Sequence, residues 1–348
     1  MTEHITVQPG SLSKIADIVP RAHAYAIITD AHVAHYAHRL AEQLRNVHVL
    51  EFPAGEVNKT RESWQRLTDE LLARGIGRDS CVIAVGGGVT CDLAGFVAAT
   101  YMRGVPVVQV PTSLLAMIDA AVGGKTGVDV PAGKNLVGAF HPPHHVLIDP
   151  AVLHTLPDAE LSKGLAEAIK HGAIADAAYL EWITESTTSI FERRMHTLES
   201  LIRRSIEIKT QFVDTDLREA GKRAALNFGH TIAHALEQVS GYAIQHGHGV
   251  ALGMLIEAEI GNVLGITQPD SVKDIYHALQ RAHLPHEIVF SDTAPLVEAT
   301  RADKKVRSSS IRYVLLEKTG AVARTPEGEW TWAVPDDVVI KALRQFAA

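Results

Sequence analysis

Residues 81–92 read CVIAVGGGVTCD: an apolar β-branched run, three glycines, and then the helical pattern LAGFVAA over 93–99. Backbone without Cβ atoms at a strand end lets a pyrophosphate approach the amides, and a helix N-terminus favours its charge. The strict dinucleotide fingerprint G-x-G-x-x-G is not met, because Gly86 and Gly88 fit while Cys91 stands where the third glycine belongs. A tight strand-to-helix turn without a ligand is the other reading of the same residues. On either side, short β-branched runs recur at Ala24–Thr29, Val47–Phe52, Val105–Val110 and His145–Ile148. Helical spacing fills Ala31–Leu44 and Thr60–Arg74, the latter closed by Gly75. Strands alternating with helices predict a parallel sheet covered on both faces, with ligands at the carboxyl ends of its strands.

The pattern changes after Asp149-Pro150. From Leu153 to about Ala282 the chain is rich in Ala, Leu, Glu, Ile and Lys, with Asp158, Thr184 and Ser271 as candidate N-caps. A β signal returns at Ser310–Leu316. The expected fold is an α/β N-terminal Rossmann-like domain over residues 1–150, followed by a mainly α-helical C-terminal domain over 151–348.

The 348 residues carry a formal charge of −7, with 46% hydrophobic and 21% charged residues. That is ordinary globular composition, and the acidic balance speaks against a general nucleic-acid binder. Two cysteines, Cys81 and Cys91, are too few for a disulfide framework and suggest a reduced, cytoplasmic setting. No secretory signal is visible at the N-terminus, and the most apolar stretch, Val105–Val122, is broken by Pro106, Gln109, Pro111 and Asp119. A membrane span is therefore not expected.

Three further constellations could carry chemistry. The stretch 111–135, PTSLLAMIDAAVGGKTGVDVPAGKN, sets Thr112, Ser113, Asp119, Lys125, Thr126, Asp129, Lys134 and Asn135 among glycines. Its DAAVGGKT nearly matches a P-loop, but Asp119 replaces the first glycine and no clean strand precedes it. Lysines and small hydroxyls on such loops still suit an anion. The second constellation is histidine-rich. His230 and His234 stand at i and i+4, His246 and His248 follow, and Glu167 in GLAEAIKHG offers a carboxylate. Two histidines and one carboxylate leave coordination positions open, as a catalytic zinc site requires. The third is a basic set, Lys170, Lys209, Arg223, Lys304 and Lys305, which would suit a multiply charged anion if gathered in one place.

These motifs in this order, from GGGVTCDLAGF through GLAEAIKHG, REAGKRAALNFGHTIAHALE and HGHGVALGM to DKK, resemble the 3-dehydroquinate synthase family. The resemblance implies an NAD-dependent metalloenzyme that binds zinc or cobalt through Glu167, His230 and His246. In place of the His230–His234 pair suggested by spacing, it puts His234 beside the substrate. It implies NAD contacts at Asp30, Glu56, Lys59, Gly87, Gly88, Asp92, Thr112, Ser113, Asp119, Lys125, Lys134 and Thr155. It assigns the substrate to Asp119, Lys125, Asn135, Lys170, Lys209, Arg223, Asn227, His234 and one of Lys304 and Lys305. Arg103 would reach the substrate phosphate of a neighbouring subunit, so a homodimer is implied. The partner would be a small sugar phosphate, 3-deoxy-D-arabino-heptulosonate 7-phosphate. The implied reaction, a step of the shikimate pathway toward aromatic amino acids, oxidises C5 transiently, eliminates phosphate, re-reduces C5, opens the ring and closes it by an aldol step. Three positions depart from the family's usual residues: Cys91 and Ala233 for Gly, and His248 for Glu. The rival reading is a metal-dependent alcohol or polyol dehydrogenase of the same architecture, which would have no need of the basic set.

Overall fold

The computed structural model describes residues 4–216, 221–287, 293–307 and 311–346, the side chains of 302–307 excepted. Its contacts divide the chain into two units. One holds Met1–Pro157 and Met195–Ile206, the other Asp158–Arg194 and Glu207–Ala348.

The first unit is built on strands β1 (Ile5–Val7), β2 (Ala24–Asp30), β3 (Val47–Phe52), β4 (Ser80–Gly86), β5 (Val107–Pro111), β6 (Lys125–Val130), β7 (Gly133–Phe140) and β8 (His145–Ile148). Helices α1 (Ile15–Ile18), α2 (Ala34–Ala41), α3 (Arg61–Ala73) and α4 (Gly88–Thr100) alternate with them. Six strands form one parallel sheet in the order β1-β8-β5-β4-β2-β3. Its central strand β4 is buried at every residue, which is why SCVIAVG reads as a continuous apolar run and not an alternating one. The fully buried Leu67 and Leu71 of α3 pack into the same core as Phe52, Leu93 and Val97. Each such leucine contributes about 2 kcal/mol through burial. Thr60 caps α3 by accepting from the Ser63 amide, worth about 1 kcal/mol.

Strand order fixes where a ligand can lie. From β2 the chain moves outward to β3, and from β4 it moves the other way to β5 and β8. The order reverses between β2 and β4, so their connections leave in opposite directions and open a crevice at the carboxyl ends. Asp30 ends β2 and Gly86 ends β4. A Cβ on Gly86 would lie 2.2 Å from Thr90 Oγ1, so glycine lets α4 start directly against the strand end.

The second unit is mainly helical: α5 (Asp158–Ala175), α6 (Ala177–Phe191), the end of α7 (Met195–Val213), α8 (His230–Val239), α9 (His246–Val263), α10 (Pro269–Arg281), α11 (Ala294–Arg307) and α12 (Asp336–Leu343). Short strands β9 (Arg312–Tyr313), β10 (Leu316–Lys318), β11 (Ala321–Val322) and β12 (Trp332–Ala333) form two antiparallel pairs. Helix α9 packs on α5, α8, α10 and α12, and glycines set how closely. A Cβ on Gly247 would lie 2.5 Å from the Lys163 carbonyl of α5, and one on Gly253 would lie 2.0 Å from the Gly229 carbonyl at the start of α8.

Several local expectations need correction. Thr184 lies inside α6 and bonds back to the Leu180 carbonyl, while the cap of α6 is Asp176, which accepts from the Tyr179 amide. Ser271 sits in the first turn of α10 and accepts from the Thr319 amide, and Gln268 holds the cap position. Small polar residues serve caps, turns and long-range bonds alike, so residue type alone does not mark a helix start. The glycine-rich loop after Pro111 contains an antiparallel hairpin, β6–β7, whose pairing is invisible in a local window. The late β signal resolves into β9 and β10, and Ser310 lies outside the described residues.

Candidate active site

The parallel-sheet unit gathers one set of expected residues at the carboxyl ends of its strands. The Asp30 carboxylate accepts from Thr90 Oγ1 of α4 at 2.9 Å and from the His32 amide at 3.0 Å. Gly87 is the N-cap residue of α4 and Gly88 its first residue, and no side chain caps this helix. Its first amides therefore remain as a cradle for an anion. The Thr112 amide donates to the Gly86 carbonyl at 2.9 Å, holding the end of β5 beside that turn. Ser113 Oγ accepts from the Ala116 amide, and the half-buried Asp119 follows in a π-helical turn. Thr155 Oγ1 shares a 3.0 Å bond with Tyr36 of α2.

Beyond β3 lies a charged knot. The Lys59 ammonium is only 3% exposed and stands 2.7 Å from Glu56, 3.3 Å from Asp92 and 3.5 Å from Asp129. Burial pushes this ammonium toward its neutral form, but Asp92, Glu56 and Asp129 outweigh burial and hold its pKa above the ordinary lysine value. Burial lifts the Asp92 carboxyl to about 6 against the pull of Lys59. Asp129 belongs to the glycine-rich stretch singled out in the sequence, but the resemblance gives it no cofactor or substrate role. Lys125 opens β6, exposed, while Lys134 and Asn135 lie on β7.

In the helical unit, α5, α8 and α9 bring Glu167, His230 and His246 together, with one ligand atom from each lying within 4.8 Å of the others. Glu167 is fully buried. Its Oε1 lies 3.5 Å from His230 Nε2 and 3.7 Å from His246 Nε2. Ligand atoms bonded at about 2.1 Å around a tetrahedral ion stand about 3.4 Å apart, so the set fits a divalent metal. The Nδ1 atoms are engaged elsewhere, His230 with the Phe228 carbonyl at 3.2 Å and His246 with Glu237 Oε1 at 3.0 Å. With the Nδ1 atoms so engaged, both Nε2 atoms face Glu167 and are the atoms a metal would take.

The electrostatics agree with that arrangement. Burial pushes the Glu167 carboxyl up, but its ion pair with Lys170 and the two imidazoles hold it well below the usual carboxylate range. Burial, aided by Lys170, pushes His230 down to about 3. At His246 burial acts downward, yet Glu167 and Glu237 lift it to about 9. Both glutamates thus favour positive charge at His246, which is where a cation would be held.

His234, one turn beyond His230, is exposed, with ring centroids 5.7 Å apart, and stands outside the three-residue group. Lys170, Lys209 and Arg223 are at most 5% exposed, and Asn227 is half-buried at the end of a short 3-10 turn. Lys304 and Lys305 fall on α11 with side chains outside the described residues. Arg103 is exposed in a turn where Met102 (φ 50°), Arg103 (φ 67°) and Gly104 (φ 111°) are all left-handed. His248, partly buried near Lys163 and Glu160, is not in the ligand group. Sequence reasoning missed Glu237 and Glu257. Glu237 stands seven residues after His230, on the same face of α8. Glu257, fully buried on α9, accepts from the Gly229 amide at 2.8 Å and the Ile232 amide at 3.3 Å, capping α8 from outside.

Family models described as the N-terminal and C-terminal parts of 3-dehydroquinate synthase match residues 49–163 and 164–306. The chain is 41% identical over 343 residues to 3-dehydroquinate synthase of Thermoanaerobacter pseudethanolicus, covering 96% of this chain and 94% of that protein. Among solved structures it is similar to 2-deoxy-scyllo-inosose synthase complexed with carbaglucose-6-phosphate, NAD+ and Co2+, with TM-score 0.89, 27% identity and coverage of 98% and 96%. It is similar also to 2-epi-5-epi-valiolone synthase from Streptomyces hygroscopicus with NAD+ and Zn2+ bound, with TM-score 0.88, 27% identity and the same coverage, 98% and 96%.

Proposed function

The chain belongs to the 3-dehydroquinate synthase family, and from that premise we propose how its residues divide the work of converting 3-deoxy-D-arabino-heptulosonate 7-phosphate into 3-dehydroquinate and phosphate. The observation that carries the proposal is the buried group of Glu167, His230 and His246, with both Nδ1 atoms engaged and both Nε2 atoms facing the carboxylate. When bound, a divalent ion on these residues would supply Lewis-acid polarisation of substrate oxygens, and NAD a reversible hydride acceptor. Zinc and cobalt both suit the donor set.

The chain's own side chains do the rest. Asp30, Glu56 and Asp92 present carboxylates that accept from ribose hydroxyls and repel a 2′-phosphate, which selects NAD. Gly87 and Gly88 at the start of α4 offer amides to the pyrophosphate, and Lys59, Thr112, Ser113, Asp119, Lys125, Lys134 and Thr155 complete the cofactor contacts. Lys170 keeps Glu167 ionised and adds a buried positive charge next to it. With Lys209 and Arg223 it binds the substrate's anionic groups, and either Lys304 or Lys305 adds one more charge. Asn135, Asn227 and His234 orient the hydroxyls and the departing phosphate. Arg103 is presented by a left-handed turn that costs backbone energy, which favours a binding role. We assign it to the phosphate held by a second subunit, in a cytoplasmic homodimer. No described helix is long and apolar enough to cross a membrane.

The deciding experiment measures inorganic phosphate release from 3-deoxy-D-arabino-heptulosonate 7-phosphate with catalytic NAD+, with and without chelation, while NADH absorbance is followed. Phosphate release that needs metal and NAD+ and leaves no lasting NADH is expected. Lasting NADH without phosphate would assign a dehydrogenase instead.

A further inference from the structure

The hairpin β6–β7 is irregular at one point. Val128 pairs with Val137 and Val130 with Gly133, so Asp129 alone faces Lys134, Asn135 and Leu136. The two extra residues on β7 form a bulge, and Asn135 adopts φ 55°, a left-handed conformation that costs a non-glycine residue energy. The bulge also takes the Asn135 amide out of the strand ladder. Asp129 Oδ1 accepts that amide at 2.9 Å. The same oxygen stands 3.5 Å from Lys59 Nζ, and the Asp129 amide donates to the Lys59 carbonyl at 2.7 Å. A parallel bridge between Thr60 and Asp129 adds a second tie to the start of α3.

Lys59 already has Glu56 at 2.7 Å and Asp92 at 3.3 Å, so its charge is compensated without a third carboxylate. What Asp129 supplies is a hydrogen-bonded join between two places. On one side is the lysine of the charged knot. On the other is the bulge that carries Lys134 and Asn135. We propose that Asp129 is a positioning residue that holds the β7 bulge in register with Lys59, so that the cofactor contacts Lys59 and Lys134 and the substrate contact Asn135 are set by one carboxylate. This rests on the roles given above to Lys59, Lys134 and Asn135. Asp129 itself touches neither ligand in this assignment.

The test compares Asp129→Asn with Asp129→Ala in the metal-loaded full-length enzyme. The readouts are KM and kcat for the sugar phosphate, NAD+ affinity by direct titration, and melting temperature. Asn keeps an acceptor for the Asn135 amide and Ala does not. Asp129→Ala is expected to raise the substrate KM and the NAD+ dissociation constant about tenfold each, the scale of one hydrogen bond to a charged group. Asp129→Asn is expected to restore the substrate KM to within about threefold of wild type. A fold-stabilising role alone would lower the melting temperature of both variants and leave KM unchanged. If Asp129→Ala is insoluble, Asp129→Ser, which ends one bond short of the amide, takes its place. Wild-type KM and NAD+ affinity in folded Asp129→Ala or Ser would overturn the inference, as would equal damage in Asp129→Asn. A wild-type enzyme that releases no phosphate would overturn the site reading and this inference with it. An active wild type with unaffected variants would overturn only the role of Asp129.

Discussion

Replacing Glu237 by Ala is expected to weaken metal binding about 10–100-fold, or about 1.4–2.7 kcal/mol, without dismantling the fold. The side chain is 1% exposed and its Oε1 lies 3.0 Å from His246 Nδ1, so the imidazole is oriented by a buried charged acceptor that water cannot replace. Freed of that bond, His246 loses both its ring orientation and part of the electron density at Nε2. Glu237→Gln keeps a neutral acceptor, and the loss should fall to about 1 kcal/mol, the difference between hydrogen bonds to charged and neutral partners. The effect depends on pH. Glu167 and Glu237 lift His246 to about 9 against the downward pull of burial, so below that pH the metal must displace a proton. Removing Glu237 makes that proton easier to displace. The measured loss is therefore largest near pH 9 and shrinks toward pH 6. Competition with a chromophoric chelator across this range reads the affinity, and NAD+ titration checks the other unit. Wild-type metal affinity in Glu237→Ala at pH 9 would refute the reasoning.

Gly253→Ala places a methyl group 2.0 Å from the Gly229 carbonyl, where two backbones meet, and is expected to cost about 1–3 kcal/mol by overpacking. Denaturant unfolding reads this cost, and metal content should fall in parallel. Burial raises the Glu257 carboxyl to about 8 even though the Gly229, Ile232 and Thr231 amides favour its charge. The folded state therefore binds this proton more tightly than the unfolded state, and stability falls as pH rises from about 4.5 to 8. Glu257→Gln should flatten that slope, and stability curves of both proteins at pH 5 and pH 8.5 would test it. Lys59→Met leaves Glu56, Asp92 and Asp129 without their shared cation, which for a buried pair costs about 3–5 kcal/mol. It should abolish NAD+ binding by calorimetry while leaving metal binding to the other unit intact.

The alternation of β-branched runs with helical spacing before Asp149 made the parallel sheet legible, because strands buried on both faces leave unbroken apolar stretches. The three glycines after Val85 marked the turn from β4 into α4 through residue type alone, since few other residues let a helix start so close to a strand. The type of ligand chemistry was suggested by residue type, since two histidines and a carboxylate that leave coordination positions open suit a catalytic divalent metal. Spacing suggested His230 with His234, whereas the helices bring His230 to His246. A period of 3.6 residues reports what one helix can offer, but which two helices meet depends on Gly247 and Gly253 letting backbones approach. Glu237 and Glu257 were illegible for the same reason, and so was the part that Asp129 plays. Each acts on a partner in another segment, through a hydrogen bond that no local pattern encodes. Sequence by itself determined the sheet, the helical half and the chemical type of the site, since these follow from local propensity and residue chemistry. Which donors share a centre was legible through the family resemblance and not through local pattern, and tertiary structure alone decided which buried carboxylates hold them, since both depend on distances between chain segments far apart in sequence.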